Sequence, residues 1–193
     1  MILIYQFFMV VNASECEFGW KAKDFNLFSV EDKFYSLQSI KGKEGTVIVF
    51  ICNHCPYVIA IAERLSFEAK ELQKIGVNTI AIMSNDTDSY PTDSFENMKK
   101  FSNKYNFNFP YLYDSTQDVA RKYKAICTPD FYGFNKHLEL LYRGRIDSGT
   151  INNACDNINR ELYYAMEMIV KSKKGPTEQF NSFGCSIKWK SNE

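Results

Sequence analysis

Two cysteines three residues apart are the side chains of this sequence best suited to chemistry. Cys52 and Cys55 enclose Asn53 and His54 in the stretch F-I-C-N-H-C-P-Y. The thiolate is the reactive form of cysteine, and its usual pKa of about 8.5 falls at a helix N-terminus or beside a cation. A C-x-x-C pair in that setting can alternate between dithiol and disulfide. His54, when protonated or donating a hydrogen bond, would stabilise the thiolate and make the pair more oxidising.

The elements around this pair predict such a setting. Thr46–Ile51 is a β-branched and aromatic run after Gly45, typical of a strand buried on both faces. Pro56 follows the second cysteine, and Tyr57–Lys74 has helical apolar spacing. Val77–Met83 is a second apolar run, so the segment is a βαβ unit with parallel strands. The cysteines therefore lie where a strand ends and a helix begins, where unpaired N–H groups and the helix dipole favour an anion.

The remaining cysteines and one proline complete the set of candidate site residues. Pro129 would open a strand and give up a ladder donor, so we predict a cis Thr128–Pro129 bond that faces the cysteine pair. Cys127 then lies close by, either as a small buried apolar residue or with a redox role. Cys185 either resolves a mixed disulfide or packs within the tail. Cys16 and Cys155 are expected to be structural.

Composition predicts one globular domain. The chain has 193 residues, of which 45% are hydrophobic and 24% charged, and its net charge is zero, which gives no basis for binding nucleic acid or an acidic membrane. Six cysteines are too few for a disulfide scaffold of this length. Residues 1–17 form an apolar N-terminal segment, 18–175 the domain and 176–193 a tail.

The apolar start, Met1–Val11, is too short to span a bilayer and has no preceding Lys or Arg. An extra edge strand or a misplaced start codon is slightly preferred to a signal peptide. We therefore expect a cytoplasmic protein, and a periplasmic or secreted one if this segment is a signal.

Further elements follow from periodicity and turn residues. Asp114 or Ser115 is expected to cap the shortest helix. The predicted elements are a hairpin over Phe25–Val30 and Phe34–Leu37, a helix from Ser94 to Tyr105, a strand over Tyr111–Tyr113, a short helix to Tyr123, antiparallel strands over Phe131–Phe134 and Leu138–Arg143, and a long helix over Ser148–Lys171.

The motifs F-I-C-N-H-C-P-Y, F-P-Y-L-Y-D, C-T-P-D-F and G-C-S-I-K-W-K resemble those of the thioredoxin superfamily, in its redoxin or peroxiredoxin-like subgroup. The resemblance runs from about Gly19 to Lys190. It implies an α/β thioredoxin-like fold, with a central mixed sheet flanked by helices, an N-terminal β-hairpin and a C-terminal tail.

Alignment with these relatives also assigns roles to the two cysteines. Their attacking cysteine, followed by proline, corresponds to Cys55, which makes Cys52 its partner. Cys52 then occupies the place of a threonine that helps peroxiredoxins bind peroxide, which argues against peroxidase activity. Arg143 and Arg145 are candidates for the peroxiredoxin arginine, although a solvated strand end is the simpler interpretation.

The leading hypothesis is a cofactor-free thiol–disulfide oxidoreductase or thiol-dependent peroxidase. It would act on a protein disulfide, a small disulfide or a peroxide, with a thiol as reductant. The alternative is a thioredoxin-fold protein that binds Cu(I) or zinc through Cys52, Cys55 and either His54 or Cys127, since soft ligands suit these ions. A redox-inert interaction domain is disfavoured by the intact C-x-x-C pair.

Overall fold

The computed structural model describes residues 10–13, 17–151 and 158–191. Cys16, Cys155 and most of the apolar N-terminal stretch lie outside the described residues. In the described part the strands are β1 Val10–Asn12, β2 Asn26–Ser29, β3 Phe34–Ser36, β4 Gly45–Phe50, β5 Val77–Met83, β6 Tyr111–Tyr113, β7 Cys127–Thr128, β8 Asp130–Asn135, β9 Leu140–Gly144 and β10 Phe183–Ser186. The helices are α1 Leu37–Ile40, α2 Pro56–Lys74, α3 Phe95–Lys104, α4 Asp118–Tyr123 and α5 Glu161–Ser172, with a 3-10 turn at Pro91–Asp93.

A seven-stranded mixed sheet forms the centre of the molecule, in the order β3-β2-β6-β5-β4-β8-β9. Strand β4 pairs parallel with β5 and antiparallel with β8, and all six of its residues are buried. Such burial explains the unbroken apolar run that precedes the cysteines. The predicted mixed sheet and the parallel βαβ unit are confirmed.

Alternate residues of β4 face two separate cores, because side chains of a strand point to opposite faces in turn. Val47 and Val49 pack with the apolar sides of α2 and α5. Ile48 and Phe50 pack on the other face, where α4 contributes Tyr123. The central strand is thus fixed on both faces, and so is the point at which it ends.

A second sheet of three strands, in the order β1-β10-β7, lies beside the cysteines and was not predicted. Strand β10 runs antiparallel to both neighbours, and Cys185 is in register with Thr128 on one side and Val10 on the other. A Cβ on Gly184 would lie 2.0 Å from the Thr128 carbonyl oxygen, so this approach requires glycine. The tail therefore packs onto the predicted domain, and so does the part of the N-terminal segment that forms β1.

The hairpin of β2 and β3 is confirmed, and Ser94 caps α3 by accepting from the Asn97 N–H. The Asp114 carboxylate accepts from two N–H groups at the start of α4, as a capping side chain does, although the helix begins later than predicted and its N-cap residue is Gln117. Among the described residues, no helix is both long and apolar enough to cross a bilayer.

The prediction of one long helix over Ser148–Lys171 is wrong at its N-terminal end. The Ser148 N–H donates to the Asn159 carbonyl, and Asp147 accepts from the Gly149 N–H, so the described residues before Glu161 follow a different path. Arg160 has non-helical backbone angles, with φ −80° and ψ 67°, and the helix begins at the next residue. The apolar spacing could not show where the helix begins, because the hydrogen bonds of Ser148 and Asp147 decide the path of the chain before it.

Candidate active site

Cys55 is the residue immediately before α2, with Pro56 at the first helical position. Its carbonyl oxygen accepts from the Val58 and Ile59 N–H groups, at 3.0 and 2.9 Å. Cys52 lies two residues after the end of β4, on the other side of the short loop. The structure therefore places the pair at the junction of strand and helix, as the sequence predicts.

The Thr128–Pro129 peptide bond is cis, and Thr128 contacts both cysteines of the pair. Its hydroxyl oxygen lies 3.4 Å from the Cys52 Sγ. Its carbonyl oxygen accepts from the Cys55 S–H at 3.2 Å. The predicted cis proline opposite the pair is confirmed, and the residue before it provides the contacts. Cys127 is buried as well, with its Sγ 3.9 Å from the Pro129 carbonyl oxygen.

A third sulfur reaches the pair from the C-terminal strand. The Sγ of Cys185 lies 2.8 Å from the Sγ of Cys55. Cys185 is therefore packed and buried, as one of its two interpretations predicts, and its role in resolving a mixed disulfide stays a prediction. The four cysteines that the structure describes are all free thiols, and each is at most 1% exposed.

The surroundings of these thiols separate their pKa values. Burial raises the pKa of Cys55, but hydrogen bonds from Cys185, from Cys52 and from the Val58 N–H outweigh it and lower that pKa well below its usual value. Burial raises the pKa of Cys52, and its hydrogen bond to Cys55 and the charge of Asp93 act in the same direction. The hydrogen bond to Cys55 raises the pKa of Cys185. Burial raises that of Cys127.

His54 is directed at a carboxylate that the sequence analysis missed. Its Nδ1 lies 2.7 Å from Oδ2 of Asp93, which is fully buried. The Asp93 carboxylate also accepts from the Asn53 N–H and the Asn85 side-chain amide, both at 2.8 Å. The His54 ring stacks on Tyr90 with 5.9 Å between the ring centroids. From the sequence Asp93 could only be assigned to a polar loop or to the cap of the following helix, because its contacts come from segments 8 to 40 residues away.

Cys52, His54 and Asp93 bring a sulfur, a nitrogen and an oxygen within 4.8 Å of one another. A tetrahedral zinc ion with bonds of roughly 2.0–2.2 Å would hold its nitrogen and oxygen ligands about 3.3 Å apart. The 2.7 Å separation between His54 and Asp93 is that of a hydrogen bond, and both carboxylate oxygens already accept other hydrogen bonds. The arrangement is therefore a hydrogen-bonded cluster that does not fit a zinc ligand set.

The two arginines suggested for a peroxiredoxin-like role are both engaged in ion pairs. Arg143 is only 5% exposed, and its Nη2 donates to Asp130 Oδ2 at 2.8 Å. The interpretation of Arg143 as a solvated strand end is therefore wrong. Arg145 forms a two-pronged pair with Glu161, with both nitrogen–oxygen distances 2.7 Å.

A small cleft lies beside the cis proline. Its volume is about 40 Å³, and its lining includes Tyr57, Pro129, Arg145 and Phe183. Tyr57 and Phe183 meet edge to face across 5.6 Å, which joins the start of α2 to β10. The cleft therefore adjoins the sulfur cluster, although the sulfurs themselves are covered.

A cysteine pair before a helix, opposite a cis proline on a mixed sheet, defines a thioredoxin-fold redoxin. The chain belongs to the AhpC/TSA family, whose sequence profile matches residues 18–146. Strand β10 and its Cys185 lie beyond that match.

Several solved structures have the same fold as this chain. A crystal structure of an uncharacterized conserved protein from Geobacillus kaustophilus is 40% identical, with a TM-score of 0.91, covering 96% of this chain and 98% of that one. A hypothetical protein from Sinorhizobium meliloti is 32% identical, with a TM-score of 0.89 and coverages of 94% and 99%. The thioredoxin domain of a thiol-disulfide oxidoreductase from Bacteroides vulgatus, at 13% identity, shares the fold, with a TM-score of 0.63 and coverages of 81% and 100%. Among curated protein sequences, none matches the chain.

Proposed function

We propose that this protein is a thiol–disulfide oxidoreductase in which Cys55 is the nucleophile and Cys52 belongs to the same redox centre. The observation that carries the proposal is the environment of the Cys55 sulfur. It lies at the N-terminus of α2, beside the cis Thr128–Pro129 bond and within hydrogen-bonding distance of a second thiol. Hydrogen bonds from Cys185, from Cys52 and from the Val58 N–H lower the pKa of Cys55 despite burial, so the thiolate is available at neutral pH.

In the proposed reaction the Cys55 thiolate attacks one sulfur of a substrate disulfide. A mixed disulfide forms, and the other substrate sulfur leaves as a thiolate and takes up a proton. A second thiol of the protein then attacks the Cys55 sulfur, releases the first substrate thiol and leaves a protein disulfide. An external thiol reductant returns the protein to its starting state. The hydroxyl and carbonyl groups of Thr128 hold the cysteine pair in place.

A peroxide is a second candidate substrate, and the burial of the sulfurs favours it. Because Cys55 is fully buried, a small oxidant needs less movement of the protein to reach it than a protein disulfide does. Attack on a peroxide would convert Cys55 to a sulfenic acid and release water or an alcohol. A second thiol would then condense with the sulfenic acid and release water.

The test is oxidation of the reduced protein in glutathione buffers of graded potential, followed by mass mapping of its cysteines. We expect a reversible protein disulfide that includes Cys55, with a potential within roughly −270 to −120 mV. Cys55→Ser should abolish both the disulfide and the consumption of thiols by peroxide. Cys127→Ser is the matched control, since Cys127 is equally buried, and it should retain both.

The proposal fails if the wild-type protein forms no disulfide at Cys55 and neither a model disulfide nor hydrogen peroxide consumes its thiols. In that case the metal content of the purified protein decides the alternative. Stoichiometric Cu(I) or zinc that is lost in Cys52→Ser would then assign a metal-binding role.

A further inference from the structure

We propose that Cys185, on the C-terminal strand β10, is the thiol that resolves Cys55, so that the working disulfide joins the start of α2 to the tail. This inference rests on the proposed function and names the partner of the nucleophile. It replaces the expectation that Cys52 is that partner.

The distance between the two sulfurs is the first argument. The Sγ atoms of Cys55 and Cys185 are 2.8 Å apart, and a disulfide bond measures about 2.05 Å. The bond therefore requires an approach of only about 0.8 Å. Cys52 is also hydrogen-bonded to Cys55, but its Sγ is shared with the Thr128 hydroxyl at 3.4 Å.

The second argument is that the backbone holds Cys185 in this position. Strand β10 is paired on both sides, and Cys185 lies opposite Thr128, whose carbonyl contacts Cys55. Gly184 permits the close approach to Thr128. Beyond the strand, the Ile187 N–H donates to Ile126 at 2.9 Å and the Lys188 N–H donates to Asn85 at 2.9 Å. Because Cys185 is already held beside Cys55, no part of the chain has to become ordered before it attacks.

The chemistry of resolution follows from the same contact. When Cys55 is ionised, the Cys185 S–H donates to the Cys55 thiolate across the 2.8 Å contact and remains protonated. Once Cys55 has attacked, its negative charge leaves with the substrate thiolate. The charge that held the proton on Cys185 is then gone. Cys185 then attacks the Cys55 sulfur, and its proton passes to the substrate sulfur that leaves. The bond from Cys55 to the substrate breaks, the substrate leaves as a thiol, and the Cys55–Cys185 bond forms.

After attack on a peroxide, Cys55 carries a hydroxyl group, and Cys185 displaces it. The products are water and the same Cys55–Cys185 disulfide. Two electrons pass from the protein to the substrate in either case. An external dithiol restores them and becomes a disulfide itself. The centre thus comprises three thiols, one of which comes from outside the segment that matches the family profile.

Tryptic mapping of the full-length protein tests this inference directly. Cys52 and Cys55 fall in one tryptic peptide, residues 44–64, whereas Cys185 falls in residues 175–188. The protein is oxidised with stoichiometric oxidised glutathione or hydrogen peroxide, and free thiols are then blocked with N-ethylmaleimide at acidic pH. A Cys55–Cys185 bond appears as a cross-linked pair of peptides, and a Cys52–Cys55 bond as a single peptide two hydrogens lighter.

We expect the cross-linked pair in the wild type and in Cys52→Ser. In Cys185→Ser, the glutathione adduct or sulfenic acid at Cys55 should persist at least about tenfold longer, because a preoriented thiol has been removed. The wild-type map needs no variant, so it decides the matter even if a substitution impairs folding.

A wild-type protein that forms only a Cys52–Cys55 bridge would overturn this inference and leave the proposed function standing. So would a bond from Cys55 to any other cysteine, or undiminished resolution in a folded Cys185→Ser protein. Failure of both oxidants to modify Cys55 in any form of the protein would instead refute the proposed function.

Discussion

Replacement of Cys185 by alanine should raise the pKa of the Cys55 thiol, because it removes the hydrogen bond that most lowers that pKa. The two sulfurs are 2.8 Å apart and shielded from water, so the bond to the thiolate is of the charge-assisted kind. Such bonds contribute about 1.5–3 kcal/mol. At 1.36 kcal/mol for each pKa unit, the expected rise is about 1–2 units.

The assay is the ultraviolet absorbance of the thiolate as a function of pH, taken as a difference from Cys55→Ser so that the other cysteines cancel. This measurement does not require a reagent to enter the buried site. Cys185→Ser is the matched control, because the serine hydroxyl can also donate a hydrogen bond to the Cys55 thiolate and should keep most of the lowering of its pKa. The reasoning is refuted if wild-type Cys55 titrates near the ordinary value of about 8.5, or if Cys185→Ala leaves the titration unchanged.

The same contacts predict three further results. At mildly acidic pH a small alkylating reagent should label Cys55 before Cys52, and faster labelling of Cys52 would reverse the assignment of the nucleophile. Replacement of His54 by leucine should remove its 2.7 Å contact with Asp93, so that the Asp93 charge raises the pKa of Cys52 further and the measured redox potential becomes more negative; an unchanged or higher potential would contradict this. Gly184→Ala should lower the free energy of unfolding in urea by about 1–3 kcal/mol and slow formation of the Cys55–Cys185 disulfide, because the added Cβ would collide with the Thr128 carbonyl. A fully stable variant with normal disulfide formation would show that β10 does not need to lie this close to Thr128.

The depressed pKa of Cys55 also makes the stability of the reduced protein depend on pH. A group whose pKa is lower in the folded state stabilises the fold fully above its unfolded pKa, here about 8.5, and loses that contribution as the pH falls through the folded value. The reduced protein should therefore become less stable on acidification, and the disulfide form, which lacks this thiolate, should not show the same loss. Stabilisation of the reduced form also makes the centre a better oxidant.

Burial of the sulfurs limits what can react with them. Cys55 is fully buried, and Tyr57 and Phe183, which meet edge to face, line the cleft beside the cis proline. Phe183 belongs to β10, the strand that also carries Cys185. Because Cys55 is fully buried, a large disulfide can reach it only if its surroundings move, and β10 is one of the elements beside it.

The sequence by itself determined the local part of this architecture. An apolar strand, two cysteines, a proline and an amphipathic run are neighbours in the chain, and their order is enough to place Cys55 at a helix N-terminus. The Thr128–Pro129 bond was predicted cis from a proline at the start of a predicted strand. Each of these inferences needs only the conformational preferences of a few consecutive residues.

Tertiary structure decided which distant groups meet at the cysteine pair. Cys185 is 130 residues from Cys55, and Asp93 is 40 residues from Asn53, so no periodicity in the chain connects them. Arg143 is buried because Asp130 lies beside it on the neighbouring strand, although both residues are charged. Strand register and close packing fix these contacts. Both depend on how every element between the two contacting residues folds. The nucleophile could therefore be found from the sequence, whereas the sulfur beside it required the fold.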